Sequence, residues 1–222
     1  MRRVVIASLA AVGAWRLRPK ISRVLRTIDR RSGLFAPHGA ALYARVAPRI
    51  LRPLYRRIAA DVAGLANGHP VRVLDVGSGP GDLALEIAAR VPGASVVGVD
   101  LAQAMVSLAQ GSAVAAGLGT RIRFELADGA RLPLDDASVD LVVSSLSLHH
   151  WDRPPDVFAE LHRVLRPGGS ALVYDLAAII YSRAELAAIL GDAGWAPVRS
   201  EPVRFGRTPL TLVRRIRLDR PA

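Results

Sequence analysis

The stretch that decides the fold is Val71-Arg72-Val73-Leu74-Asp75-Val76-Gly77-Ser78-Gly79-Pro80-Gly81-Asp82, which continues directly into residues 83–90. A β-branched run, three glycines at alternate positions and apolar residues at helical spacing predict a buried strand, a tight loop and a helix. Glycine lacks a Cβ, so such a loop accepts positive φ and lets a ligand approach closely, while the free N–H groups of the helix favour polar or anionic ligand groups. The stretch therefore predicts a ligand cradle.

The glycine spacing narrows the choice of ligand. The dinucleotide fingerprint is G-x-G-x-x-G, whereas the third glycine comes one residue earlier here, as Gly77-x-Gly79-x-Gly81. This spacing makes a nicotinamide oxidoreductase a poor interpretation. The phosphate loop is excluded because no Gly-Lys-Ser/Thr follows. With Asp75 two residues before Gly77, the stretch resembles the first motif of the class I S-adenosylmethionine (SAM) dependent methyltransferases. That resemblance implies that Ser78 and the glycines lie against the aminoacyl end of SAM.

Two later segments extend the resemblance. Residues 94–100 predict a second buried strand that ends in Asp100, whose carboxylate can accept both hydroxyls of a ribose; its alternative role is an N-cap for a helix over 101–116. Residues 121–129 predict a third strand, and residues 130–140 match the family's loop before the fourth strand. The family then implies that Leu101 presses on adenine, that Asp128 accepts the adenine amino group, and that the backbone N–H of Gly129 meets the ring.

Residues 141–151 predict a fourth strand and the segment after it, and the strand should end beside the cofactor because ligands lie at the carboxyl ends of parallel strands. We therefore expect Ser144 and Ser145 near the SAM amino group, through their carbonyls. The following His149-His150 pair is typical of a structural or pocket-wall feature in this family, and His150 or Asp152 is the candidate if a general base is needed. No acidic cluster at ligand spacing accompanies these histidines and the chain has no cysteine, so no metal site is predicted.

The C-terminal third continues the family's order of elements. It predicts a helix over 154–165, a stop at Arg166-Pro167-Gly168-Gly169 and a fifth strand over 171–175. A capping box from Ser182 to Glu185 opens the next helix, and segments 198–205 and 211–217 predict a final antiparallel pair. Only residues 176–181 join the fifth strand to that helix, fewer than in many relatives. This implies an open pocket, or one closed by the N-terminal segment, a lipid surface or a second subunit.

The resemblance covers about residues 70–217 of 222 and implies an α/β fold. The sheet is expected to be doubly wound, seven-stranded and mostly parallel, a Rossmann-like methyltransferase fold with an N-terminal helical extension. The expected domains are a basic helical arm or cap at 1–64 and a SAM-binding domain at 65–222. A chain of this length holds one such domain and an appendage, but not two full domains.

Charge is concentrated at the N-terminus. Residues 1–60 hold 14 of the 30 basic residues and one of the 19 acidic residues, a net charge of +13, so the remainder carries −2. Residues 4–15 form an apolar run between arginines, too short to span a bilayer. A cleaved signal peptide fits poorly because cations follow the run at once. A helix on the membrane surface, and a packing helix or disordered leader, stay as equal alternatives.

The segment before the first strand has apolar residues every four positions: Leu42, Val46, Ile50, Leu54, Ile58 and Val62. This spacing predicts helices, interrupted at Pro48 and Pro53. Helices in this place often cap the active site in the resembling family. The polar-aromatic candidates for lining such a pocket are Phe35, His38, Tyr43 and Tyr55.

The resulting expectation is a SAM-dependent methyltransferase of the small-molecule type, similar to the ubiquinone/menaquinone C-methyltransferase-like branch. It would act on a small hydrophobic or lipid-like acceptor, in the cytoplasm or on the cytoplasmic face of the membrane, with a homodimer as one option. A nucleic-acid methyltransferase would use the basic segment on phosphates, but the segment lacks interleaved aromatics and no Asn/Asp-Pro-Pro-Tyr/Phe motif follows the fourth strand. A non-enzymatic SAM-binding or partner protein is the third alternative.

Overall fold

The structure, a computed structural model, describes residues 37–177, 180–191, 194–195, 198–205 and 212–222, with side chains from residue 50 onward. Within these ranges seven strands form one sheet in the order β3-β2-β1-β4-β5-β7-β6. Strands β1 to β5 are parallel, whereas β7 runs antiparallel to both β5 and β6. The predicted doubly wound, mostly parallel sheet is confirmed, and its strand order reverses between β1 and β4.

The elements alternate along the chain. The helices are α1 (Pro37–Ala66), α2 (Asp82–Arg90), α3 (Gln103–Ala115), α4 (Pro154–Val164) and α5 (Arg183–Leu190). The strands are β1 (Val71–Val76), β2 (Ala94–Asp100), β3 (Ile122–Leu126), β4 (Val139–Ser145), β5 (Leu165–Leu176), β6 (Arg199–Val203) and β7 (Val213–Asp219). A single 3-10 turn (Leu148–His150) follows β4. The capping box predicted at Ser182 and Glu185 is present at the start of α5.

The core lies in two layers because the parallel strands are buried on both faces. On one face α1, α2 and α3 cover the sheet, with Leu54, Ile87 and Ala109 among their buried residues. On the other face α4 and α5 contribute Phe158 and Leu186. Because β1, β2 and β4 run parallel, their carboxyl ends lie at the same edge of the sheet.

Two sequence expectations are wrong at prolines. Helix α1 is continuous through Pro48 and Pro53, where interruptions were predicted. Proline removes one backbone donor from a helix. However, Leu54, Ile58 and Val62 of α1 are fully buried in the core, and such packing outweighs local propensity. Strand β5 also begins at Leu165 rather than at 171, because the Arg166–Gly169 segment is accommodated in an irregularity opposite Val139 and Leu141.

A buried polar network connects α1 to the sheet. The hydroxyl of Tyr174 on β5 donates to Asp61 on α1 at 2.8 Å, and Arg215 on β7 contacts the same carboxylate oxygen at 2.9 Å. Tyr174 is fully buried, and burial together with the Asp61 charge raises the pKa of its phenol. The second half of α1 is therefore part of the core of the α/β domain. The domain boundary at residue 64 stays a prediction.

Several expectations fall outside what the structure describes. They are the apolar run at 4–15, Phe35, and the side chains of His38, Leu42, Tyr43 and Val46. Tyr55 is described and is buried in the core. Among the helices in the described residues, none has the length and apolar character needed to cross a membrane.

Candidate cofactor and acceptor site

The glycine loop crosses the carboxyl end of β1 at the point where the strand order reverses. Gly77, Gly79 and Gly81 all have positive φ, at 71°, 52° and 89°. Gly81 is the N-cap of α2, and because glycine has no side chain it makes no capping hydrogen bond to the first turn. The first turn of α2 therefore presents its backbone N–H groups toward the loop, as the sequence predicted.

Gly77 and Gly79 differ in what surrounds them. A Cβ on Gly77 would lie 2.5 Å from the Cβ of Ser147, so only glycine fits there. A Cβ on Gly79 would meet nothing within 4 Å. Gly77 is thus required by packing within the protein, whereas Gly79 faces open space in which a ligand can approach the backbone.

The carboxylate of Asp100 fixes the loop from the neighbouring strand. Its Oδ2 accepts the N–H of Gly79 at 2.9 Å and its Oδ1 accepts the N–H of Ala102 at 2.9 Å. The N-cap of α3 is Ala102, so Asp100 does not fill the alternative capping position itself. Each carboxylate oxygen retains a second lone pair, so the half-exposed Asp100 can still accept ribose hydroxyls.

Asp75 is the most perturbed acid of the site. It lies on β1 between Gly98 of β2 and Val143 of β4, and it is 1% exposed. Burial, aided by the nearby Asp100 charge, raises its pKa to about 8. Within the described residues, Asp75 Oδ2 and the hydroxyls of Ser78 and Ser145 are buried without a hydrogen-bond partner. Such atoms are costly unless a ligand or water satisfies them.

The expected adenine-side residues lie at the ends of β2 and β3. Leu101 is 72% exposed, which is unusual for a leucine and leaves its side chain available to an apolar ring. Asp128 is exposed, and its Oδ1 accepts the N–H of Ala130 at 2.9 Å. Gly129 packs closely, since a Cβ there would lie 3.2 Å from Val76. The structure thus brings the predicted residues to one edge of the sheet.

Ser147 was missed by the sequence analysis and organises the turn after β4. Its hydroxyl donates to the carbonyl of Val76 at 3.1 Å and lies 2.7 Å from the hydroxyl of Ser144. The indole Nε1 of Trp151 donates to it at 3.2 Å. Because Ser147 has a single proton, Ser144 must be the donor in their contact, so the Ser144 side chain serves this network.

The histidine pair has one buried member and one half-buried member. His149 is 5% exposed and its Nδ1 lies 2.7 Å and 2.8 Å from the two oxygens of Asp175, at the end of β5. The ring of His150 lies 4.0 Å from that of His149, measured between centroids. Asp152 is exposed. The assignment of His150 or Asp152 as a base stays a prediction, and Asp175 is a second residue that the sequence analysis did not single out.

The fit of these residues to SAM rests on three observations. The loop leaves open space at Gly79, Asp100 keeps spare lone pairs beside it, and a buried carboxylate atom of Asp75 lacks a partner among the described residues. These groups suit the hydroxyls of a ribose and the ammonium of an aminoacyl end. Among the described residues, no group of three histidine or acidic side chains is arranged to hold a metal ion.

Comparison with known proteins agrees with this geometry. Residues 74–173 match the family model described as a methyltransferase domain. This stretch, just under half of the chain, is therefore similar to methyltransferase domains.

Individual relatives are consistent with that class. The chain is 40% identical over 121 residues to a demethylmenaquinone methyltransferase of Thermus thermophilus, covering 54% of this chain and 53% of the relative. It is 34% identical over 146 residues to a ubiquinone/menaquinone biosynthesis C-methyltransferase of Geobacter, covering 61% of each. A SAM-dependent methyltransferase from Aquifex aeolicus shares the fold, with a TM-score of 0.61 at 23% identity over 72% of this chain and 87% of that one. The chain spans about half the length of the curated relatives it matches, from 42% to 61%.

Proposed function

We propose that the protein transfers a methyl group from SAM to a small, apolar acceptor. The single observation that carries the proposal is the pairing of an open Gly79 with the Asp100 carboxylate, which holds the Gly79 N–H at 2.9 Å beside the unsatisfied Asp75. Bound SAM supplies a methyl group that its sulfonium has already activated. The protein then needs chiefly to orient the acceptor and to exclude water.

The cofactor contacts form part of this proposal. Asp100 would accept the ribose hydroxyls, while Leu101, Asp128 and Gly129 would hold the adenine. Gly77, Ser78, Gly79 and Gly81, with Asp75, Ser144 and Ser145, would surround the aminoacyl end. In support, these residues come from the ends of adjacent strands β1 to β4.

The acceptor proposal has two supports. The relatives named above include a demethylmenaquinone methyltransferase, so a quinone-like ring is a reasonable acceptor class. Leu176, at the end of β5, is 39% exposed. An apolar acceptor would cover this leucine and gain the free energy of burying it.

We further propose that the basic N-terminal segment contacts an anionic membrane that holds such acceptors, and that a homodimer is the alternative way to cover the pocket. The support is charge: residues 1–60 carry +13. The side chains of Arg52 and Arg56 are 62% and 60% exposed, and Ile50 is 67% exposed. Co-sedimentation with phosphatidylglycerol vesicles at low salt should fall when residues 1–20 are deleted. Unchanged sedimentation would contradict membrane contact, and light scattering would report the dimer.

The deciding experiment is calorimetric titration of SAM, S-adenosylhomocysteine and NAD into the purified protein. We expect saturable binding of the two sulfur nucleosides and none of NAD. Gly79→Arg should abolish binding, and Asp100→Ala should weaken it by about 10-fold to 100-fold, the range for losing hydrogen bonds to a charged group. The matched controls are Gly111→Arg, at an open glycine of α3, and Asp135→Ala, on an exposed loop. Wild-type affinity in both site variants would overturn the proposal.

A further inference from the structure

The side chain of Asp75 has largely apolar neighbours within the sheet. Asp75 is in register with Gly98 on β2 and with Val143 on β4, and residues in register on parallel strands point to the same face. A Cβ on Gly98 would lie 2.5 Å from Cε1 of Phe124 and 3.0 Å from the Cβ of Ser78. The ring of Phe124 and the side chains of Ser78 and Val143 therefore flank Asp75.

Two hydroxyl groups lie on the same side of the sheet as Asp75. Ser145 follows Val143 by two residues on β4, and side chains two residues apart on a strand share a face. The hydroxyls of Ser78 and Ser145 and the Oδ2 of Asp75 are all buried, and none has a hydrogen-bond partner among the described residues. Their capacity to bond is therefore available to a polar group of a ligand.

Among the described side chains, none on this side of the sheet supplies a positive charge to Asp75. The titratable side chains that β2 and the covering helices bring to this side are Arg52, Tyr55, Arg56, Arg57, Asp61, Asp82, Glu86, Arg90 and Asp100. The three arginines of α1 contact Glu86 or Asp61. Arg90 lies in the last turn of α2, at the end away from the glycine loop. The cations of this side are therefore placed or paired elsewhere.

The charge that does act on Asp75 is negative. It comes from Asp100, and together with burial it raises the pKa of Asp75. Beyond β4, the ring of His149 is engaged by Asp175. A water molecule can donate a hydrogen bond to a buried carboxylate but brings no positive charge. Because a buried carboxylate without a countercharge is unfavourable, such a group takes up a proton instead.

We propose that Asp75 couples cofactor binding to proton release: it carries a proton in the cofactor-free protein and gives it up when the ammonium of SAM or of S-adenosylhomocysteine enters. This inference rests on the proposed function, which puts the aminoacyl end against Asp75. The O–H bond of the carboxylic acid breaks, its electron pair stays on the carboxylate, and the proton passes to solvent. The carboxylate and the ammonium then form a buried ion pair, to which Ser78 and Ser145 can add hydrogen bonds.

Proton release makes the affinity for the cofactor depend on pH. The pKa of Asp75 is about 8 in the cofactor-free protein, so well below this value each bound ligand displaces about one proton. Lower pH favours the protonated, ligand-free form, and the Kd should rise by about 10-fold for each pH unit between pH 6.5 and pH 5.5. The α-amino group of the ligand has an ordinary pKa of about 7.7–8.0 and is already an ammonium in this range.

Calorimetry at pH 6.5 in buffers of different ionisation enthalpy counts the protons released. Titration of S-adenosylhomocysteine in phosphate and in imidazole buffer should give about one proton released per ligand bound. 5′-Methylthioadenosine, which has the nucleoside but no amino group, should release none. Binding of S-adenosylhomocysteine without proton release, or equal release by both ligands, would overturn the proposal. Absence of any binding by S-adenosylhomocysteine would instead refute the proposed function.

Substitution and infrared spectroscopy assign the proton to Asp75. Asp75→Asn cannot ionise, so its binding of S-adenosylhomocysteine should release no proton and its Kd should not change between pH 6.5 and pH 5.5. Asp135→Asn, on an exposed loop, is the matched control and should keep both effects. In wild-type infrared difference spectra, S-adenosylhomocysteine should remove the band of a protonated carboxyl group and add that of a carboxylate, even if Asp75→Asn binds too weakly to titrate. Wild-type proton release by Asp75→Asn, or an unchanged carboxyl band, would overturn the proposal.

Discussion

The Asp100 carboxylate accepts the backbone N–H of Gly79 at 2.9 Å, across 21 residues of sequence. This bond joins the end of β2 to the loop after β1 and holds the loop in its open shape. It also means that the loop and the ribose-side acid are one structural unit. Substitutions at Gly79 or at Asp100 should therefore affect both cofactor binding and stability.

The two loop glycines predict a graded stability series. Gly77→Ala combines a positive φ with a Cβ placed 2.5 Å from Ser147, whereas Gly79→Ala meets only the positive φ. We expect Gly79→Ala to cost about 1–2 kcal/mol of unfolding free energy and Gly77→Ala to cost clearly more. Gly111→Ala, inside α3, should instead stabilise by up to about 1 kcal/mol. Urea denaturation measures all three, and equal costs at 77 and 79 would contradict the packing role of Ser147.

Asp75 predicts a pH-dependent difference in stability. Its pKa is about 8 in the folded protein against an ordinary value of 3.8. The folded state therefore binds this proton more tightly, and the stability that the proton contributes is complete below about pH 3.8 and lost as the pH rises through about 8. The free energy of unfolding of Asp75→Asn, relative to that of the wild type, should therefore increase as the pH rises between these values. The increase is at most about 1.4 kcal/mol per pH unit.

Thermal unfolding of the cofactor-free protein at pH 5, 7 and 9 would measure this difference. Asp135→Asn, on an exposed loop, is the control and should run parallel to the wild type. A constant gap between Asp75→Asn and the wild type across the three pH values would show that Asp75 titrates normally. The same variant should bind SAM more weakly, so stability and function would change in opposite directions.

The network of Tyr174, Asp61 and Arg215 predicts strong coupling between α1 and the sheet. Tyr174→Phe removes one hydrogen bond and should lower the free energy of unfolding by about 1 kcal/mol. Asp61→Asn removes the negative charge that Arg215 contacts and should lower it by more. A double-mutant cycle by urea denaturation should give a coupling energy of about 0.5–3 kcal/mol. Strict additivity would mean that the hydroxyl and the carboxylate do not cooperate.

The sequence predicted local features better than contacts between distant segments. The loop, the strand ending in Asp100 and the Ser182 capping box could be predicted because each depends on residues close together in the chain. The pairing of His149 with Asp175 could not, because it depends on the register of β4 against β5. The only signal for it was an aspartate at the end of a predicted strand. The prolines of α1 were misjudged because local rules do not include the burial of Leu54 and its neighbours.

The Tyr174 network also has a geometric consequence. Apolar packing alone lets a helix shift or rotate with small changes in energy. The contacts of Asp61 with Tyr174 and Arg215 are directional, so they require one position and one rotation of the helix. Helix α1 rises about 45 Å over its 30 residues, and only its second half is anchored by these groups. These contacts therefore set the position and rotation of the second half of α1 relative to the carboxyl edge of the sheet.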